Sequence, residues 1–146
     1  MYISTMKTLL WLDDFRDPFS KDGWLNFSPI PPPYHATWVK SYDEFVSHIE
    51  KNGLPDGICF DHDLADEHYH KDMYLGHETY NKHYGTFKEK TGYEAAKWLV
   101  DYCIDNDKEL PKFNVHSANP VGKANIRSLL TNFMVKYPKI KDKKDI

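Results

Sequence analysis

The run Gly57-Ile58-Cys59-Phe60-Asp61-His62-Asp63-Leu64 constrains this chain most, because a short apolar stretch passes without a break into two carboxylates flanking an imidazole. Pro55-Asp56-Gly57 bounds it in front. A run of this length and uniform apolarity reads as a strand buried on both faces, the kind found inside parallel sheets. Its charged end must leave that core. In open α/β sheets ligands collect beyond the carboxyl ends of the strands, so Asp61, His62 and Asp63 fall where such a fold keeps its chemistry. Two other stretches have the same form: Thr8-Leu9-Leu10-Trp11-Leu12 runs into Asp13-Asp14, and Phe113-Asn114-Val115 runs into His116-Ser117-Ala118-Asn119-Pro120.

At 146 residues the chain suits a single domain, 1–146, able to bury about two thirds of its unfolded surface. Hydrophobic residues make up 40% and aromatic ones 15%, which excludes a disordered chain. A formal charge of −3 gives no basic field for sequence-independent duplex binding, while a local phosphate site stays open. The two cysteines, Cys59 and Cys103, both fall in predicted apolar elements, which suits a reducing compartment better than a disulfide scaffold. No signal-peptide core and no long apolar window occur. A soluble cytoplasmic protein with no membrane partner is the expectation.

Along the chain, residues 8 to 12 read as a first strand. Pro18 and Pro29-Ile30-Pro31-Pro32-Pro33 oppose a helix after it, so residues 15 to 35 read as a structured loop, with Trp24 and Phe27 as anchors. Ala36–Val39 is a second strand. Ser41-Tyr42-Asp43-Glu44 matches a capping box and opens a helix on which Tyr42, Phe45, Val46 and Ile49 share a face, stopped at Asn52-Gly53. Thr91-Gly92-Tyr93-Glu94 repeats the box and opens a helix to about Asn106, with Ala95, Ala96, Leu99, Val100 and Cys103 inward. Asn119-Pro120 supplies an N-cap and a first-turn proline for the last helix, whose apolar face is Ile126, Leu129, Leu130, Phe133, Met134 and Tyr137. Between 65 and 90 lies a polar stretch rich in histidine and tyrosine, expected as an insertion whose rings could close over a ligand. No pair of its histidines has the spacing of a zinc motif. The tail at 139–146 is basic and expected to fray.

Strands alternating with helices or long crossovers predict a parallel sheet covered on both faces. In the order 2-1-3-4, Asp13, Asp14, Asp61 and Asp63 lie at neighbouring strand ends. Clustered carboxylates repel, and a hard divalent cation such as Mg²⁺ or Mn²⁺ is the usual remedy; the alternative is that some of them merely cap loops. His62 and His116 are candidates for acid and base, since imidazole titrates near neutral pH. Each is equally readable as a hydrogen-bonded support, and alternation along the strand can turn His62 away from Asp61. Arg16 suits a bidentate phosphate clamp, and the Asn119 to Gly122 turn offers backbone N–H groups to the same anion. Lys123 is a further candidate, against the ordinary reading of a solvated lysine.

The pattern Leu-Trp-Leu-Asp13-Asp14-Phe-Arg16-Asp-Pro, Phe-Asp61-His62-Asp63-Leu64, Thr91-Gly92-Tyr93 and His116-Ser117-Ala-Asn119-Pro120-Val-Gly122 resembles the cyclic-phosphate processing receiver-like family, over residues 8 to 130. The resemblance implies a receiver-like (flavodoxin-like) three-layer α/β sandwich with a short, mostly parallel sheet. It also implies action on cyclic phosphate ends of RNA or on cyclic nucleotides. Asp13 and Asp14 match the acidic pair that holds a divalent ion in receivers, Asp61 the acceptor aspartate, and Ser117 the hydroxyl after the fourth strand. The chain departs from ordinary receivers in its histidines at 62 and 116, its 65–90 insertion, and the lack of a fifth strand with a lysine after residue 120. Three functions are therefore open: a metal-dependent phosphoesterase acting on a cyclic phosphate, a non-catalytic receiver-like module with Asp61 as phospho-acceptor, or an RNA- or nucleotide-binding protein.

Overall fold

The apolar runs become strands where expected. In the computed structural model, which describes residues 6–64 and 90–136, β1 (Lys7–Leu12), β2 (Tyr34–Val39), β3 (Gly57–Phe60) and β4 (Lys112–Val115) form one parallel sheet in the order β2-β1-β3-β4. Three α-helices accompany it among the described residues: α1 (Tyr42–Asn52), α2 (Gly92–Asn106) and α3 (Pro120–Lys136). This is the receiver-like α/β fold. The His/Tyr-rich stretch expected at 65–90, Lys90 excepted, and the tail at 139–146 lie outside the described residues.

Alternation along the strands divides the core in two. Leu10, Leu12, Ile58 and Phe60 share one cluster with Phe45 and Ile49 of α1, Leu99 of α2 and Ile126 and Leu130 of α3. Leu9, Trp11 and Cys59 share the other with Ile30, bordered by Trp24 and Leu25. The described helices thus cover one face. The irregular segment between β1 and β2, including a 3-10 turn at Trp24–Phe27, covers the other. Topology accounts for this: the chain moves from β1 outward to β2, then back across β1 to β3 and β4, and right-handed crossovers running in opposite directions lie on opposite faces. Prolines in the first crossover keep it from becoming a helix.

The helix ends show which local signals were decisive. Ser41 Oγ accepts from the Glu44 N–H at 3.1 Å, and the Glu44 carboxylate accepts from the Lys40 N–H, one residue further back than in a reciprocal box. Thr91 occupies the N-cap of α2 but makes no side-chain cap. The second capping box is therefore a correction: Glu94 stands 3.8 Å from Lys97 instead, and the Gly92 N–H donates to the carbonyl of His62 at 2.7 Å. An orphan donor of the first turn is satisfied by the end of β3. At α3 the Asn119 side chain accepts from the Gly122 N–H at 3.0 Å, behind a first-turn proline. Met134, expected on the apolar face of α3, is 53% exposed, and Tyr137 lies outside the described residues.

Both cysteines are buried and unpaired with each other, and burial pushes the Cys59 thiol up to about 12 and the Cys103 thiol up to about 11. The thiolate is the reactive form. Iodoacetamide at pH 8 is therefore expected to leave both unmodified in the native protein and to label both in denaturant; mass spectrometry showing native labelling at free-cysteine rates would contradict this packing. Among the described residues no helix is long and apolar enough to cross a membrane.

Candidate functional site

Three strands deliver their next residues in one row. The Asp13 N–H donates to Val39 O at 3.0 Å, the Asp61 N–H to Leu12 O at 2.9 Å, and the His116 N–H to Phe60 O at 3.0 Å. The ladder thus extends one residue past the pairs Leu12↔Phe60↔Val115. Asp13, Asp61 and His116 stand side by side and, by alternation, on the face that also carries Trp11 and Cys59. This is where the chain reverses direction across the sheet, the crevice in which doubly wound sheets hold ligands.

Asp13 is fully buried and fully engaged. Its Oδ1 accepts from the backbone N–H groups of Phe15 and Arg16, both at 2.8 Å. Its Oδ2 lies 2.9 Å from His116 Nε2 and 3.3 Å from Arg16 Nη1. Burial alone pushes the Asp13 carboxyl up, but the hydrogen bonds from His116 and from these two amides outweigh it and hold the group below its ordinary value. Burial pushes His116 below its ordinary value against the pull of Asp13, and Arg16 and Lys123 add to the fall. An ionised carboxylate only accepts, so a neutral His116 donates from Nε2–H and keeps a lone pair on Nδ1. That Nδ1 is buried and has no hydrogen-bond partner among the described residues. The ring lies flat on Trp11, centroids 4.0 Å apart at 10°.

Asp61 is 1% exposed. Its Oδ2 has no hydrogen bond among the described residues, and Arg16 Nη1 stands 3.7 Å from it. Burial first, then the charge of Asp13, pushes its carboxyl well above the ordinary range, with Arg16 acting against them and Asp63 and Asp14 adding to the rise. One oxygen from each of Asp13, Asp14 and Asp61 lies within 4.8 Å of the others. An all-carboxylate set with a buried, unbonded oxygen suits a hard cation that takes oxygen ligands. The cluster could hold a metal ion.

The other expected site residues separate. Asp63, expected with the other three aspartates, is outside the group of three carboxylates: its Oδ1 lies 2.7 Å from His62 Nδ1 and accepts from Asn119 Nδ2 at 3.3 Å. His62 is fully buried and follows Asp61 on the alternate face, beneath α3, where a Cβ on Gly122 would come within 2.8 Å of its Nδ1. It does not join His116, so the structure does not assemble the two imidazoles as a pair. Ser117 is buried and its Oγ accepts from the Asn119 N–H at 3.1 Å. The Gly122 N–H, expected to face an anion, already donates to Asn119. These side chains lock β3 to the start of α3. Lys123 is partly exposed, and its charge reaches His116.

Two tryptophans belong to the site without having been singled out. Trp11 Nε1–H donates to the Arg16 carbonyl at 2.9 Å and Trp38 Nε1–H to the Asp13 carbonyl at 2.7 Å, bracing the turn that carries the acidic pair. A tryptophan in a strand reads as core; its signal was the buried indole N–H, which needs an acceptor. Trp24 lies under the Arg16 guanidinium, 5.1 Å from ring centroid to Cζ, and Phe15, next to Asp14, is 82% exposed.

A family model described as the cyclic-phosphate processing receiver domain matches residues 8–132. Curated proteins and solved structures gave no match.

Proposed function

We propose, from the premise that this chain belongs to the cyclic-phosphate processing receiver domain family, that it is a metal-dependent phosphoesterase that opens a cyclic phosphate, either at an RNA 2′,3′-cyclic end or in a cyclic nucleotide. The observation that carries the reading is the trio of buried Asp13 and Asp61 with half-buried Asp14, which has an unbonded Asp61 oxygen and a guanidinium at its edge. Mg²⁺ or Mn²⁺ held there would supply positive charge to the phosphoryl oxygens and help to activate water.

Hydrolysis forms a bond from the oxygen of water to phosphorus, breaks one ring P–O bond and delivers a proton to the departing oxygen. Arg16 is suited to hold the phosphate by two parallel N–H donors and to offset the charge that grows on it. His116 holds Asp13 ionised and oriented, and its Nδ1 lone pair is the free basic nitrogen of the site. Lys123 adds positive charge at the rim. Asn119, Gly122, Ser117, His62 and Asp63 position the turn after β4 rather than touch the anion. Exposed Phe15 offers a ring on which a base can stack.

The test is incubation with a cyclic-phosphate-ended oligonucleotide and with cyclic nucleotides in Mn²⁺ or Mg²⁺, scored by monoester release and by its loss in EDTA. His116→Ala is expected to lower kcat by about 10²-fold. Partial recovery in His116→Gln would assign the ring to holding Asp13; no recovery would assign it to proton transfer. Absence of monoester with every substrate, together with labelling of Asp61 by acetyl phosphate, would replace the enzyme with a receiver module.

A further inference from the structure

Counting the acceptor sites of Asp13 shows that a cation cannot simply be added to it. A carboxylate offers about four lone-pair directions, and Asp13 has four neighbours on them: the Phe15 and Arg16 amides at 2.8 Å, His116 Nε2 at 2.9 Å and Arg16 Nη1 at 3.3 Å. A metal ion at this carboxylate must displace one. The two amides close the turn after β1, and His116 is sealed against Trp11. The guanidinium contact is the longest of the four and belongs to a side chain 20% exposed. It is also the group that stands beside the unbonded Asp61 oxygen, at 3.7 Å.

The rest of Arg16 is fixed. Its N–H is held by Asp13 and its carbonyl by the Trp11 indole, so displacement moves the side chain only, along the Trp24 ring that lies beneath it. A guanidinium released at the rim of a cationic site is a ready fork for an anion.

The geometry points to Arg16 as an internal competitor for the cation site that is drawn off by phosphate, so that divalent cation and phosphate bind with positive coupling carried by this one side chain. The inference rests on the reading of the acidic trio as a metal site. Coupling is reciprocal: whatever the phosphate adds to cation affinity, the cation adds to phosphate affinity.

The experiment is calorimetric titration of the full chain with Mn²⁺, with and without phenyl phosphate, for the wild type, Arg16→Gln and Arg16→Lys, with folding checked by circular dichroism and a blank for Mn²⁺ binding to phenyl phosphate. Arg16→Gln is expected to bind Mn²⁺ alone at least about fivefold more tightly than the wild type, and phenyl phosphate is expected to tighten Mn²⁺ binding in the wild type but much less in the variant. Arg16→Lys keeps a cation without the planar fork and is expected to fall between them. A gain in affinity is not what a damaged fold produces. Equal or weaker Mn²⁺ binding by Arg16→Gln overturns the competition, and an unchanged phenyl phosphate effect overturns the coupling. Failure of all three proteins to bind Mn²⁺ removes the metal site itself, whereas Mn²⁺ binding that ignores residue 16 removes only this inference.

Discussion

Asp61→Asn is expected to cost at least about 10²–10³-fold in turnover and, in EDTA, to stabilise the fold by about 1–2 kcal/mol. The substitution keeps the shape of the side chain and removes its charge. That charge is buried, faces Asp13 first among its neighbours, and has no hydrogen bond at Oδ2. A carboxylate kept in such a place costs the metal-free protein free energy, which a bound cation would offset. Urea denaturation in EDTA and in Mn²⁺ gives both halves: Mn²⁺ should stabilise the wild type and leave Asp61→Asn nearly unmoved. A variant less stable than the wild type in EDTA would mean that Asp61 is a satisfied partner in the fold, and the metal reading of the trio would go with it.

The pH dependence has a definite sign. The folded pKa of Asp61 lies above its ordinary value of 3.8, so the stability contributed by its protonated form is complete below that value and is lost as pH rises through the folded pKa. Asp13 runs the other way: its folded pKa is lowered, so its contribution is present above the ordinary range and is lost as pH falls through the folded value. The stability gap between Asp61→Asn and the wild type should therefore open as pH rises and then level off, with Asp13 common to both. A gap that narrows with pH would contradict the placement of Asp61.

Much of this arrangement was legible in the residues, and what was not follows from one limit. Leu9 to Leu12, Ile58 to Phe60 and Val115 announce buried strands by apolarity alone, and buried parallel strands put their polar ends together, so Asp13, Asp61 and His116 could be gathered before any coordinates. Which face each residue takes depends on register, and register is set by neighbours far along the chain. Phe60-Asp61-His62-Asp63 gives the order of the groups; only the ladder bond from Asp61 to Leu12 shows that Asp61 turns toward Arg16 while His62 turns under α3. The same limit hid the bond that Asp63 accepts from Asn119, 56 positions away. The Thr91 box reads the same way: Thr91 makes no side-chain cap, and the start of α2 is held instead by a distant group, the His62 carbonyl, which accepts from the Gly92 N–H.

Gly92→Ala is expected to destabilise the protein by about 3 kcal/mol or more, although intrinsic helix propensity alone favours alanine over glycine by about 1 kcal/mol. The sign is the diagnostic. Gly92 opens α2, and a Cβ there would collide with the carbonyl oxygen of Asp61 and lie 2.9 Å from its carbon and 3.0 Å from His62 Cα. All of these are main-chain atoms at the end of β3, so no rotamer change relieves the contact. Either α2 lifts, losing the Gly92 N–H bond to His62 and the packing of Leu99 and Ala96, or the strand end shifts and carries Asp61 off Asp13 and Asp14. Gly122→Ala is the comparison: the three atoms nearest its Cβ all belong to the His62 ring, a side chain that can turn at the expense of its bond to Asp63, so a smaller loss of about 1–3 kcal/mol is expected. Chemical denaturation ranks the two, and Mn²⁺ titration separates the routes, since a Gly92→Ala protein that stays folded by shifting β3 should bind the ion more weakly than Gly122→Ala. Equal stability of Gly92→Ala and the wild type would mean that α2 does not rest on the Asp61 peptide, and the acidic trio would have lost the contact that fixes its third member.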